Sequence, residues 1–143
     1  EMFKKTLDSL PSDIAIFSAA VSDWKVKNYR NIKIKKNDEL NLEFERNIDI
    51  LNYVSNHNSL RPKLVVGFSA ETNNIFENSK NKIDQKNCDW IIANDVSDKT
   101  IGFESDYNEV TLIYKNQRKE KFPKMKKSLL AKKIVEKVIS EIN

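Results

Sequence analysis

A chain of 143 residues is long enough for one domain with its own core and too short for two ordinary ones. Its 39% apolar and 32% charged residues describe a globular protein with a highly charged surface, and 25 Lys and Arg against 21 Asp and Glu leave a net charge of only +4 despite a pI near 9.0. The lysines are interleaved with acids along the whole length, which favours a solvated surface over a nucleic-acid-binding face. One cysteine, Cys88, and one histidine, His57, exclude an internal disulfide and a Cys/His metal cage. Cys88 reads as a small buried hydrophobe, and His57, between Asn56 and Asn58, as a loop residue. No run approaches the roughly 20 apolar residues of a membrane span, and no signal peptide opens the chain, so a cytosolic protein is expected. Residue 1 is Glu rather than Met and reads as a cut end.

Met2 to Leu10 has apolar residues at helical spacing and is stopped by Pro11 and Ser12. Ile14 to Ala20 is a continuous apolar run suited to a buried parallel strand. Ile32–Lys35 and Leu40–Phe44 both alternate with period two around Asn37 and Asp38, which predicts a hairpin with one wet face. A short helix is expected over Asp49–Asn56, and a second buried strand over Leu64–Ser69. Asn73 or Asn74 is placed to cap a helix running to about Lys86. Trp90–Ala93 reads as a third buried strand, and Glu109–Tyr114 with Lys119–Phe122 as a hairpin turning at Asn116 and Gln117. Lys126–Ile142 is a strongly periodic helix whose inner stripe is read as Leu129, Leu130, Ile134, Val138 and Ile139. The pattern predicts an α/β fold, a Rossmann-like and mostly parallel sheet with helices on both faces and a protruding β-hairpin.

In such sheets ligands sit beyond the carboxyl ends of the strands. Three polar clusters with small residues, which let a ligand approach the backbone closely, follow the three buried strands: Ala19-Ala20-Val21-Ser22-Asp23-Trp24, Gly67-Phe68-Ser69-Ala70-Glu71-Thr72-Asn73 and Ala93-Asn94-Asp95-Val96-Ser97. Each also suits ordinary turns and helix caps; three in succession point to a ligand. Gly67 and Gly102 are the only glycines, and neither belongs to a glycine-rich phosphate loop. Either the protein binds no nucleotide, or such a turn lies upstream of residue 1.

Ala19-Ala20-Val21-Ser22-Asp23, Lys33-Ile34-Lys35-Lys36, Gly67-Phe68-Ser69-Ala70-Glu71-Thr72 and Ala93-Asn94-Asp95-Val96 resemble, in wording and order, phosphopantothenoylcysteine synthetase, usually the C-terminal half of the bacterial bifunctional coenzyme A biosynthesis flavoprotein. Gly102-Phe103 with Asp106 and Asn108, and Lys127 ahead of Leu129-Leu130, continue the series over essentially the whole chain. Asn47-Ile48-Asp49-Ile50 departs from the family's Asn-Pro-Asp-Ile, and the family's glycine-rich N-terminal part is not in the sequence. Residues 1–143 are therefore expected to be the C-terminal part of a single synthetase domain and an incomplete catalytic unit.

The resemblance implies a ligase that joins 4'-phosphopantothenate to L-cysteine through an acyl-cytidylate made with CTP and magnesium. It implies that Ala19, Ala20 and Asp23 border phosphopantothenate, and that Phe68, Ser69, Ala70 and Asn94 line the nucleotide pocket. Phe103 would cover the base, Lys82 would be the functional lysine near the cytidine nucleotide, and Lys127 would reach phosphate. Phe68 equally suits the core, Phe103 hairpin packing and Lys127 a solvated helix start, while Lys82 is preferred as functional over a helix-surface lysine. Metal ligands are not assigned. A homodimer is expected, with the Lys33–Phe44 hairpin as a pairing surface, and FMN only in a decarboxylase half fused to the parent protein. A non-catalytic dimerising or substrate-binding fragment is the first alternative. Nucleic-acid binding is the weaker one.

Overall fold

The computed structural model describes residues 1–28, 41–97 and 105–143, which fall into two compact units. The larger comprises Glu1–Ala19 with Ile50–Asn143, and the smaller Ala20–Asp49.

The larger unit is built on a five-stranded sheet. Its strands are β1 (Ile14–Phe17), β4 (Leu64–Glu71), β5 (Trp90–Asp95), β6 (Tyr107–Tyr114) and β7 (Lys119–Lys126), adjacent in that order. The first three are parallel and the last two form an antiparallel hairpin beside β5. β4 and β5 are the continuous apolar runs expected of strands buried on both faces: Leu64, Val65, Val66, Ile91, Ile92 and Ala93 are all buried. Both run two residues further than the apolar pattern suggests, so Ala70-Glu71 and Asn94-Asp95 are strand residues rather than loop residues.

β1 corrects an expectation. It is parallel to β4, but it stops at Phe17 and lies at the sheet edge, where Ile16 is 44% exposed. An edge strand has a neighbour on one side only, and apolar composition does not reveal how many neighbours a strand has. Pro123 lies in β7, the opposite edge, where a missing N–H is tolerated.

Helices cover both faces. α2 (Ile50–Ser55) and α3 (Ile75–Lys86) pack Leu51, Ile75, Phe76 and Ile83 against Val65, Ile91, Ala93 and Ile113. α4 (Lys127–Ile142) packs Leu130, Ile134 and Val138 against Leu64, Val66, Trp90, Ile92, Val110 and Leu112. Leu129 and Ile139, read as part of that inner stripe, are instead 47% and 50% exposed. α1 (Met2–Asp8) is shorter than expected and buries no residue fully, although Phe3 meets Tyr53 edge-to-face at 4.8 Å. Asn74 does stand at the N-cap of α3, but in a left-handed conformation and without a side-chain cap bond.

At the end of the sheet where β4 begins, Arg61 acts as a clamp. It donates to the carbonyls of Ser55, Pro62 and Asn87 and to both oxygens of Asp89, at 2.8 to 3.1 Å. Asp89 in turn accepts from the Val65 N–H at 2.7 Å.

In the smaller unit β2 (Trp24–Val26) pairs antiparallel with β3 (Phe44–Arg46). Of the strand expected over Leu40–Phe44, Asn41–Glu43 are not in a strand and only Phe44 is, as the first residue of β3; periodicity also missed β2, whose three residues are too few to display a period of two. The expected first hairpin strand, residues 32–35, and the Lys33–Lys36 motif lie outside the described residues.

Candidate functional site

The carboxyl ends of β1, β4 and β5 share one end of the sheet, and the strand pleat sorts their side chains onto two faces. Ser69 and Glu71 point toward α3. The buried Ser69 hydroxyl lies 3.3 Å from that of Ser79, tying β4 to the helix. Glu71, only 9% exposed, accepts from Lys82 Nζ at 2.5 Å through one oxygen and from Asn78 Nδ2 at 3.2 Å through the other. Asn78 also donates to the Asn73 carbonyl at 3.0 Å, holding the start of α3. Asn78 and Lys82 are one helical turn apart and therefore reach the same spot.

The opposite face presents Phe68, Ala70 and Asn94. Phe68 is half-buried against the α4-side core, and Ala70 is exposed and in register with Asn94. The Asn94 side-chain oxygen accepts from Asn108 Nδ2 at 2.8 Å. Because β6 runs antiparallel to β5 and β7 antiparallel to β6, the end of β7 returns to this end of the sheet. Lys127, the first residue of α4, is thus carried to the same end, exposed, with its N–H donating to the Asp106 carbonyl at 2.9 Å.

Of the residues expected to form the site, Phe68, Ser69, Ala70, Lys82, Asn94 and Lys127 lie at one end of the sheet, but Ser69 and Lys82 are on the α3 face and Phe68, Ala70 and Asn94 on the other. Ala19, exposed, follows β1 at that end. Ala20 and Asp23 belong to the smaller unit, where both are exposed and the Asp23 carbonyl accepts the Asn47 N–H at 2.8 Å. Phe103 lies outside the described residues. Glu71, Asn78 and Asn108 had no assigned role in the sequence reading. The signal for Glu71 was its parity with Ser69 on β4, and for Asn78 its position four residues before Lys82.

Other chemistry-bearing groups lie elsewhere. Cys88 is fully buried beneath α3, and that burial pushes its thiol up to about 11, so it is inert as a nucleophile at neutral pH. A groove of about 260 Å³ between β7 and α4 contains the Glu120–Lys137 ion pair, and the hydrogen bond from Lys137 holds the Glu120 carboxyl below its ordinary value. That groove lies away from the strand ends. Among the described residues no three His, Cys, Asp or Glu side chains gather to hold a metal ion, and no helix is long and apolar enough to cross a membrane.

Residues 1–142 match the family described as the DNA/pantothenate metabolism flavoprotein C-terminal domain. The chain belongs to this family. It is 40% identical over 139 residues to the coenzyme A biosynthesis bifunctional protein CoaBC of Borreliella burgdorferi, covering 94% of this chain and 34% of that one. It is 39% identical over 133 residues to the protein of the same name from Haemophilus influenzae, covering 92% and 33%. The chain thus spans about a third of the length of the curated relatives it matches. The crystal structure of the C-terminal domain of CoaBC superimposes with a TM-score of 0.76 at 26% identity, covering 99% of this chain and 61% of that one. This family member presents its polar residues at the strand ends, where open α/β sheets bind ligands.

Proposed function

We propose that this chain carries the nucleotide-binding part of a ligase that joins 4'-phosphopantothenate to L-cysteine at the expense of CTP. Membership of the family and relatives named for coenzyme A biosynthesis support the reading. The observation that carries it is the placement of Phe68, Ala70 and Asn94 on one face and of Lys82 on the α3 face of the same sheet end, to which Lys127 also returns, so that an aromatic ring, an amide and two lysines border that end.

A carboxylate does not accept an amine unaided, because its leaving group would be oxide. CTP solves this when a carboxylate oxygen of phosphopantothenate attacks the α-phosphorus and pyrophosphate leaves. The cysteine amine then attacks the acyl carbon, CMP leaves with the former carboxylate oxygen, and the amine loses a proton. No covalent bond to the protein is needed, so catalysis rests on positioning and on stabilising charge at phosphorus and at the acyl oxygen. Phe68 offers an apolar surface for the nucleoside, Asn94 a fixed amide, and Lys82 and Lys127 cationic donors. A magnesium ion would neutralise triphosphate charge. The described residues offer it no cage: Glu71 is engaged with Lys82 and Asn78, and Asp95 accepts from the Ser97 N–H and hydroxyl. The ion is accordingly assigned to phosphate oxygens and water, its usual partners at such sites.

The chemistry is testable by isotope transfer. In a preparation that turns over, 4'-phosphopantothenate labelled with 18O at both carboxylate oxygens should deliver one label to CMP and keep the other in the amide. Label in inorganic phosphate or pyrophosphate would contradict the acyl-cytidylate. Equal turnover with ATP would contradict the assignment of CTP.

A further inference from the structure

Glu71 is a carboxylate placed where a carboxylate is costly. It is 9% exposed at the end of β4, and such burial is tolerated only when the charge is paired and both oxygens are satisfied. Lys82 and Asn78 satisfy one oxygen each. The Lys82 side chain is 40% exposed against 10% for Glu71, so the lysine is the half of the pair that remains open to solvent. An ammonium has three N–H donors. With one held by Glu71, the directions of the other two are restricted. With an anionic partner at 2.5 Å, the pair carries no net charge toward an approaching ligand. A neutral pair attracts a triphosphate weakly, yet it is a well-aimed donor for an uncharged oxygen or ring nitrogen.

We propose that Glu71, supported by Asn78, is a positioning residue that fixes Lys82 as a directional donor to the nucleoside portion of the nucleotide rather than as a clamp on its phosphates. This rests on the assignment of Lys82 to the nucleotide above. It goes beyond that assignment by naming the part of the ligand that Lys82 reads and the residue that aims it.

Two measurements on the chain test it. The first needs no ligand: acetylation of individual lysines by acetic anhydride, followed by peptide mass spectrometry. Glu71→Gln should raise the Lys82 rate about tenfold, as expected for losing one charge-assisted hydrogen bond, while rates at Lys80 and Lys127 stay as they were. The second is calorimetric titration of cytidine, CMP and CTP with Mg2+. Lys82→Ala should weaken all three by the same factor, about tenfold, and so should Glu71→Gln. In the Lys82→Ala background Glu71→Gln should add nothing further, the non-additivity of a residue acting through another. If Glu71→Gln fails to fold, Glu71→Asp keeps the charge but withdraws it by one methylene and should give the same uniform loss.

An unchanged Lys82 acetylation rate would overturn the proposal whatever the nucleotides do. A loss on Lys82→Ala that grows from cytidine to CTP would overturn it in favour of a phosphate clamp, and additive effects would make Glu71 merely structural. Raised acetylation with nucleotide binding indifferent to Lys82→Ala would contradict the assignment of Lys82 to the nucleotide, and the positioning role with it.

Discussion

Gly67 shows how a single missing side chain sets the spacing between layers. A Cβ there would come within 2.6 Å of Leu51 Cδ2 on α2 and 2.8 Å of Ile91 Cδ1 on β5. Ile91 is itself fully buried and has little room to give. Gly67→Ala should therefore destabilise the fold by about 1–3 kcal/mol, the usual cost of overpacking, read as a lower urea midpoint; an unchanged midpoint would contradict the close approach of α2. In the sequence the same glycine opens Gly67-Phe68-Ser69-Ala70-Glu71-Thr72, and small residues there suggested room for a ligand. The structure gives Gly67 a packing role and leaves the exposed Ala70 as the small residue facing outward. The Glu71–Lys82 pair was not legible, because strand parity extends to Glu71 only if β4 runs two residues past its apolar run. Three lysines within Lys80–Lys86 gave no internal signal for choosing Lys82, and only the family resemblance singled it out.

At the scale of an element, α4 separates what periodicity reveals from what it overstates. At about 100° per residue, Leu130 and Val138 lie about 40° from Ile134, whereas Leu129 and Ile139 lie about 140° away. The core-facing stripe is accordingly Leu130, Ile134 and Val138. Ile134→Ala should cost about 2–5 kcal/mol, as for other buried large-to-small changes, and Ile139→Ala no more than about 0.5 kcal/mol. Urea unfolding monitored by circular dichroism checks both, and similar costs at the two sites would contradict the orientation of α4. β4 and β5 were legible because strands buried on both faces are continuously apolar. β1 was misjudged as buried, since its apolar run is equally compatible with an edge position.

At the scale of the whole molecule, order along the chain was enough to give an α/β sheet with helices on both faces, and the fold brings most of the expected residues of the larger unit to one end. The smaller unit carries Ala20 and Asp23 and was read less well, because β2 is too short to be periodic. The central claim is that the end of the sheet around Phe68, Asn94 and Lys82 receives a cytidine nucleotide. Calorimetric titration of CTP, and separately of ATP, into the chain with Mg2+ tests it most directly. CTP should bind at least about tenfold tighter than ATP, a difference of about 1.4 kcal/mol, and Lys82→Ala should weaken it. ATP binding as tightly as CTP, or CTP binding indifferent to Lys82→Ala, would contradict it.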